Sequence, residues 1–144
     1  MEPRPVYSSL MLLGALPFVA CALLPFVGVE DLGPLGAPDQ LAIDYGLAIV
    51  CFLTGVHWAT QLYASKAAPF NLFIASNAIF LFVWFTYVAA SLQWALATQL
   101  LSFLLLLAID FRLLQNGLIT GDYLRMRIAA TTLACVSLFV MLVS

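Results

Sequence analysis

His57, Asp110 and Asp44 each interrupt an apolar run, and His57 is the only histidine in the chain. An imidazole or carboxyl group within a hydrocarbon layer is costly unless partnered, so such residues are functional candidates by default. Residues three and four apart stack on one side of a helix. That spacing puts Thr54, His57 and Gln61 on one face, continued by Gly46 and Val50, and puts Gln99, Phe103, Leu106 and Asp110 on another. Asn71 and Asn77 of one run, and Tyr123, Arg125 and Arg127 of the last, bring polar groups in from the same end.

This pattern supports two kinds of chemistry. In one, His57 hydrogen-bonds Asp110, an asparagine or a backbone carbonyl, Asp110 pairs with Arg125 or Arg127, and the cluster only fixes helix packing. In the other, the cluster lines a cavity that holds the polar head of a quinone or lipid, with His57 as donor and Asp110 setting its tautomer or charge. The candidate ligand-binding residues are His57, Trp58, Gln61, Asn77, Asp110, Arg125 and Arg127. A helix pair with no cavity beside His57 and Asp110 would sink the second reading. A groove between the second, fourth and fifth runs would weaken the first.

Other site chemistries lack their residues. Two-histidine haem ligation needs a second histidine from another chain. Zinc sites need three or four protein ligands, and carboxylate-bridged metal pairs need Glu-x-x-His repeats. No Gly-x-Ser-x-Gly elbow occurs, so a serine hydrolase is not indicated. Asp44 and Asp39, with Glu30 and Asp31, lie among glycines and prolines that give no defined calcium-ligand spacing. They read as a solvated loop. The expectation is a non-enzyme with no metal and no cofactor beyond a quinone or lipid.

The elements that must position these residues follow from composition. Of 144 residues, 65% are hydrophobic and 8% charged, against roughly 45–50% and 25% in soluble domains. The apolar residues fall in blocks of about 20, the length that crosses a bilayer core as a helix. Helices are the open-chain solution in lipid, because each satisfies its own backbone. The expected fold is all-α, one domain of five transmembrane helices at about 7–27, 41–63, 70–88, 92–113 and 123–143, joined by short loops. Pro17 should kink the first span, and Gly28, Gly33, Pro34, Gly36 and Pro38 break the chain after it. Phe18-Val19-Ala20-Cys21 faintly resembles a lipoprotein cleavage site, but the apolar run continues past Cys21.

Arg4, Lys66, Arg112, Arg125 and Arg127 all fall on one side of such a bundle, and the acidic 30–39 loop on the other. Basic flanks favour the cytoplasmic side. The N-terminus is therefore expected in the cytoplasm or matrix and the C-terminus opposite. A net charge of −2 leaves no basic surface for nucleic acid. Cys21, Cys51 and Cys135 read as small core residues. The aromatic residues of the third span read as packing and lipid contact, with Trp84, Tyr87 and Trp94 as an outer belt. Gly55-x-x-x-Ala59 allows close helix approach. No internal repeat suggests a solo transporter.

Asp44-Tyr45-Gly46 through Gly55-Val56-His57-Trp58, followed by Asp110 and Tyr123-Leu124-Arg125-Met126-Arg127, resembles a small multi-span bacterial family with a domain of unknown function. That family also includes mitochondrial transmembrane protein 69. The resemblance covers nearly the whole chain from Tyr7. It departs at Thr54-Gly55, where two adjacent glycines are expected. It implies a bacterial or mitochondrial inner-membrane protein, supplies no activity, and directs attention to His57, Trp58, Asp110, Arg125 and Arg127. The first expectation is a non-enzymatic accessory or assembly component of a larger membrane complex. The alternatives are a quinone- or lipid-binding protein, and a homo-oligomer conducting protons or small solutes through His57.

Overall fold

A computed structural model describes residues 4–144, with side chains from Val6 onward. Five α-helices follow one another: α1 (Arg4–Leu23), α2 (Pro38–Tyr63), α3 (Leu72–Ala89), α4 (Leu92–Gln115) and α5 (Gly121–Val143). Each is long and apolar enough to cross a membrane, and no strand occurs among the described residues.

The helix ends are built from local chemistry that accounts for the bounds differing by a few residues from the sequence expectation. α1 runs through Pro17 to Leu23 and tightens into a 3₁₀ turn at Leu24–Val27. Gly28, at φ +86°, closes that turn. α2 starts at Pro38, not at Leu41, because proline fits the first helical position, where no backbone donor is needed. α3 starts two residues later than expected: Asn71 Oδ1 accepts from the amides of Phe73 and Ile74, and Gln61 Oε1 accepts from Leu72 N at 2.9 Å. Those bonds satisfy first-turn amides that lipid would leave bare. α4 ends with Gly117 at φ +73°, where Leu118 N bonds Leu113 O and Gly117 N bonds Leu114 O, a Schellman closure. Thr120 caps α5 by accepting from Tyr123 N.

α4 packs against α2, α3 and α5, and α1 packs mainly on α5 and more lightly on α2. The helices α1, α5, α4 and α2 thus form a ring, with α3 outside it against α2 and α4. Phe18, Val50, Leu96, Phe103, Leu106 and Leu138 fill its core. α1 and α5 run in the same direction, since Tyr7 meets Tyr123 near their starts while Ala22 and Met141 line one cleft near their ends. The 64–71 link joins the same end as the α5 start through Asn116 Nδ2, which donates to Ala67 O.

The ring closes tightly where α2 crosses α4. Gly46 backs onto Gln99, whose Nε2 donates to Ile43 O at 2.7 Å. An added Cβ at Gly46 would collide with Gln99 Oε1. The cysteines do not share one environment: Cys21 is buried and Cys135 half-buried, but Cys51 is exposed. The lipid-facing surface is therefore where the sequence expectation for Cys51 is corrected. Its neighbours Phe52, Gly55 and Trp58 are exposed as well.

Candidate functional site

The two polar faces read from helical spacing meet. His57 lies six residues before the end of α2, Asp110 five before the end of α4, and Arg127 six after the start of α5. At 1.5 Å per residue, all three stand at nearly one depth. His57 Nε2 is 2.9 Å from Asp110 Oδ1, and Arg127 Nε donates to Asp110 Oδ2 at 2.8 Å. Every one of the three side chains is at least 94% buried: 3% of His57, 3% of Asp110 and 6% of Arg127 is exposed.

The protons follow from this geometry. Both carboxylate oxygens of Asp110 accept N–H bonds, so Asp110 acts as the anion and the His57 proton sits on Nε2. His57 Nδ1 is buried without a partner. A second proton there would bury an N–H with no acceptor, whereas the neutral ring leaves only a lone pair unmet. With the ring neutral, the arginine and the carboxylate balance and the triad carries no net charge.

Beside the triad a groove of about 380 Å³ opens between α1, α2 and α5. It is bounded by Leu10, Met11, Ile49, Phe52, Val56 and Ala130, with Phe103 of α4 behind them. Tyr7 and Tyr123 meet at one end, ring centres 6.2 Å apart. At the other, Phe18 packs edge-on against Phe103 and tilted against Tyr45. Tyr45 OH donates to Gly14 O at 2.7 Å, tying α1 to α2 there. From Tyr7 to Phe18 the groove follows eleven residues of α1, roughly 16 Å, about half the thickness of a bilayer core.

Beyond Tyr123 at its end, two polar side chains on α5, one turn apart, line this apolar groove: Arg127 and Thr131. Arg127 Nη2 and Thr131 Oγ1 are both buried without a hydrogen-bond partner. Thr131 stands out against its neighbours. The hydroxyls of Thr54, Ser76, Ser102 and Ser137 all turn back to a carbonyl of their own helix, the usual way for a hydroxyl to be satisfied in lipid.

The remaining sequence candidates are dispersed. Arg127 and not Arg125 is the partner of Asp110, because Arg125 is turned outward by two residues of helix and lies 3.9 Å from Asp122. Trp58 is 40% exposed and packs on Phe73 at 4.6 Å, on the outer face of α2. Gln61 serves as a cap for α3. Asn77 is exposed on α3, next to the buried Ser76 that faces the bundle. The groove itself lies between spans one, two and five, and His57 is not in its wall. Sequence reasoning missed Thr131 and the whole contribution of α1. The available signal was the four-residue step from Arg127 to Thr131.

At the opposite end, Asp44 Oδ1 accepts from Tyr87 OH at 2.7 Å and from Gln40 Nε2 at 2.9 Å, which joins α2 to α3. Trp84 and Trp94 are exposed at that end. Among the described residues no three metal-ligating side chains converge.

A family described as "Protein of unknown function (DUF3429)" matches residues 3–143. Neither a curated protein nor a solved structure matches the chain.

Proposed function

Taking as premise that the chain belongs to the DUF3429 family of unknown function, we propose that it is a membrane protein that binds a lipid-soluble small molecule in the groove between α1, α2 and α5. The observation that carries this reading is the pair of orphaned polar atoms, Arg127 Nη2 and Thr131 Oγ1, on residues that line an otherwise apolar groove. Buried polar groups are nearly always hydrogen-bonded, and an exception asks for a missing partner. A groove of this volume falls within the range of small-molecule sites, which pair apolar walls with a few polar groups that fix orientation. A purely scaffolding subunit has no use for that combination.

The ligand would lie with its head beside Arg127 and Thr131 and its tail toward Phe18. Both polar atoms are buried, so the head engages them through side-chain rotation of the kind common at binding surfaces. Its role is binding, not catalysis. Lys66, Arg112 and Arg125 gather at one end of the bundle, and Glu30, Asp31, Asp39 and Asp44 at the other. That asymmetry supports a cytoplasmic or matrix location for the basic end in a bacterial or mitochondrial inner membrane.

Native mass spectrometry of protein released from its own membrane, comparing wild type with Ala130→Phe, tests the reading. Ala130 lines the groove, and a phenyl ring there would occupy it. One amphiphile enriched over bulk lipid on wild type and lost from Ala130→Phe is the expected result. The same lipids in the same proportions on both forms would refute it.

A further inference from the structure

We propose that the groove selects amphiphiles with a neutral, hydrogen-bond-accepting head, such as a carbonyl, and rejects anionic ones, and that Asp110 is the residue that sets this preference. The inference rests on the ligand-binding reading above and names its ligand class.

An arginine in a hydrophobic groove would ordinarily select an anion, because its guanidinium matches carboxylate and phosphate oxygens. Here that charge is already spent. Arg127 Nε gives its proton to Asp110 Oδ2 at 2.8 Å, and His57 Nε2 gives its own to Oδ1 at 2.9 Å. The cation and the carboxylate cancel, and the neutral imidazole adds nothing. What remains unpartnered on residues that line the groove is the Arg127 Nη2 amino group, with two N–H donors, and one hydroxyl, Thr131 Oγ1; the Tyr7 and Tyr123 rings close one end. A carbonyl oxygen has two lone pairs and can accept from both groups without bringing charge into the site. An anionic head would leave the buried assembly with a net negative charge in apolar surroundings, where an unpaired ion costs far more than a neutral group. Compensation would need a further proton on the triad: on His57 Nδ1 it would have no acceptor, and on Asp110 it would displace the N–H bond of Arg127 or of His57.

Asp110 is a positioning residue in this account. It lies behind Arg127, not among the residues that line the groove, and acts by holding the guanidinium and cancelling its charge. Asp110→Asn removes the negative charge and leaves the cation facing the groove, so the preference should reverse. Asp110→Glu keeps the charge and should keep the preference.

The test uses two probes with matched chains, tritiated methyl laurate (neutral carbonyl head) and tritiated 1-dodecanesulfonate (permanently anionic head). Retention is compared between nanodiscs loaded with the full chain and empty nanodiscs. Wild type and Asp110→Glu are expected to favour the ester by about tenfold or more, given the several kcal/mol attached to an unpaired buried ion. Asp110→Asn is expected to favour the sulfonate. Equal retention of both probes by wild type, or an unchanged ester preference in a folded Asp110→Asn protein, would overturn the inference while leaving the groove as a ligand site. No retention of either probe above empty nanodiscs, or retention indifferent to Ala130→Phe, would overturn the groove reading along with it. If Asp110→Asn does not fold, the wild-type ratio alone decides.

Discussion

Arg127→Met is the most informative perturbation of the triad, because the structure states what it leaves behind. The thioether roughly replaces the apolar stem, but Asp110 loses the donor to Oδ2 and keeps only the His57 bond to Oδ1. Its carboxylate then lies 97% buried with only the His57 imidazole beside it. A charged side chain in the interior of a membrane helix costs about 2.5–3.5 kcal/mol on insertion scales. Protonation of the carboxyl limits the loss, so a destabilisation of about 3 kcal/mol is expected for Arg127→Met. Asp110→Leu should cost about the same, since it strands the arginine instead. The double variant Asp110→Leu/Arg127→Met removes both charges and forfeits only two hydrogen bonds, which in membrane interiors average about 0.6 kcal/mol each. It should lie within about 1–2 kcal/mol of wild type, less destabilised than either single variant. The assay is reversible unfolding in mixed micelles by SDS titration, followed by tryptophan fluorescence, with Trp58 packed at a tilt against Phe73 as reporter. A double variant as unstable as both single changes added together would refute the description of Asp110 and Arg127 as a mutually compensating buried pair.

Thr131→Val deletes a buried hydroxyl that has no partner and keeps its shape, so stability should hold or rise by up to about 1 kcal/mol; amphiphile retention in native mass spectrometry should nonetheless fall. Gly46→Ala should cost about 1–3 kcal/mol in the same SDS titration by driving Gln99 off Ile43 O, and Gly46→Ala/Gln99→Ala should recover most of it. Tyr45→Phe removes the 2.7 Å bond between α2 and Gly14 O of α1; it should change stability by only about 1 kcal/mol but speed exchange of bound methyl laurate, and an unchanged off-rate would exclude entry along the α1–α2 seam. In a cysteine-free background, a membrane-impermeant maleimide should label Leu35→Cys on intact bacterial cells and Ser65→Cys only after lysis; the reverse pattern would invert the proposed orientation.

The fold was legible because lipid narrows the options. Five blocks of near-uniform apolarity admit little but five helices, and their ends could be read to within a few residues from Gly28, Pro38 and Gly117. The meeting of His57 and Asp110 was legible as well, since depth along two spans is a one-dimensional quantity that spacing supplies. Rotation about the helix axis was harder. Arg125 and Arg127 are two residues apart, about 200° around a helix, and nothing local says which one faces inward; the packing of α5 on α4 decides it. Asn77 and Trp58 have the right depth and the wrong face. The groove was not legible at all, because it depends on which helices are neighbours. α1, with no charged residue between Val6 and Val27, gave no sign that it would supply one wall.

His57 and Asp110 bond each other and neither lines the groove, so His57 is not placed to donate to a ligand there, and of the polar cluster only Arg127 connects the frame to the proposed site. A lone arginine would not stay in the wall of an apolar groove; its charge would draw it to the interface or to water. Asp110 holds Arg127 in place by cancelling that charge, and His57 holds Asp110 by occupying its second oxygen. Each bond also ties a different helix pair, α2 to α4 and α4 to α5, while α1 takes no part. The triad therefore fixes two sides of the ring, close packing joins α1 to α5 on the third, and the fourth side, between α1 and α2, is left to lighter contacts. The same bonds that stabilise the bundle hold a charge-compensated donor beside the groove, and under the proposed function the lightly packed α1–α2 side is where a ligand would enter.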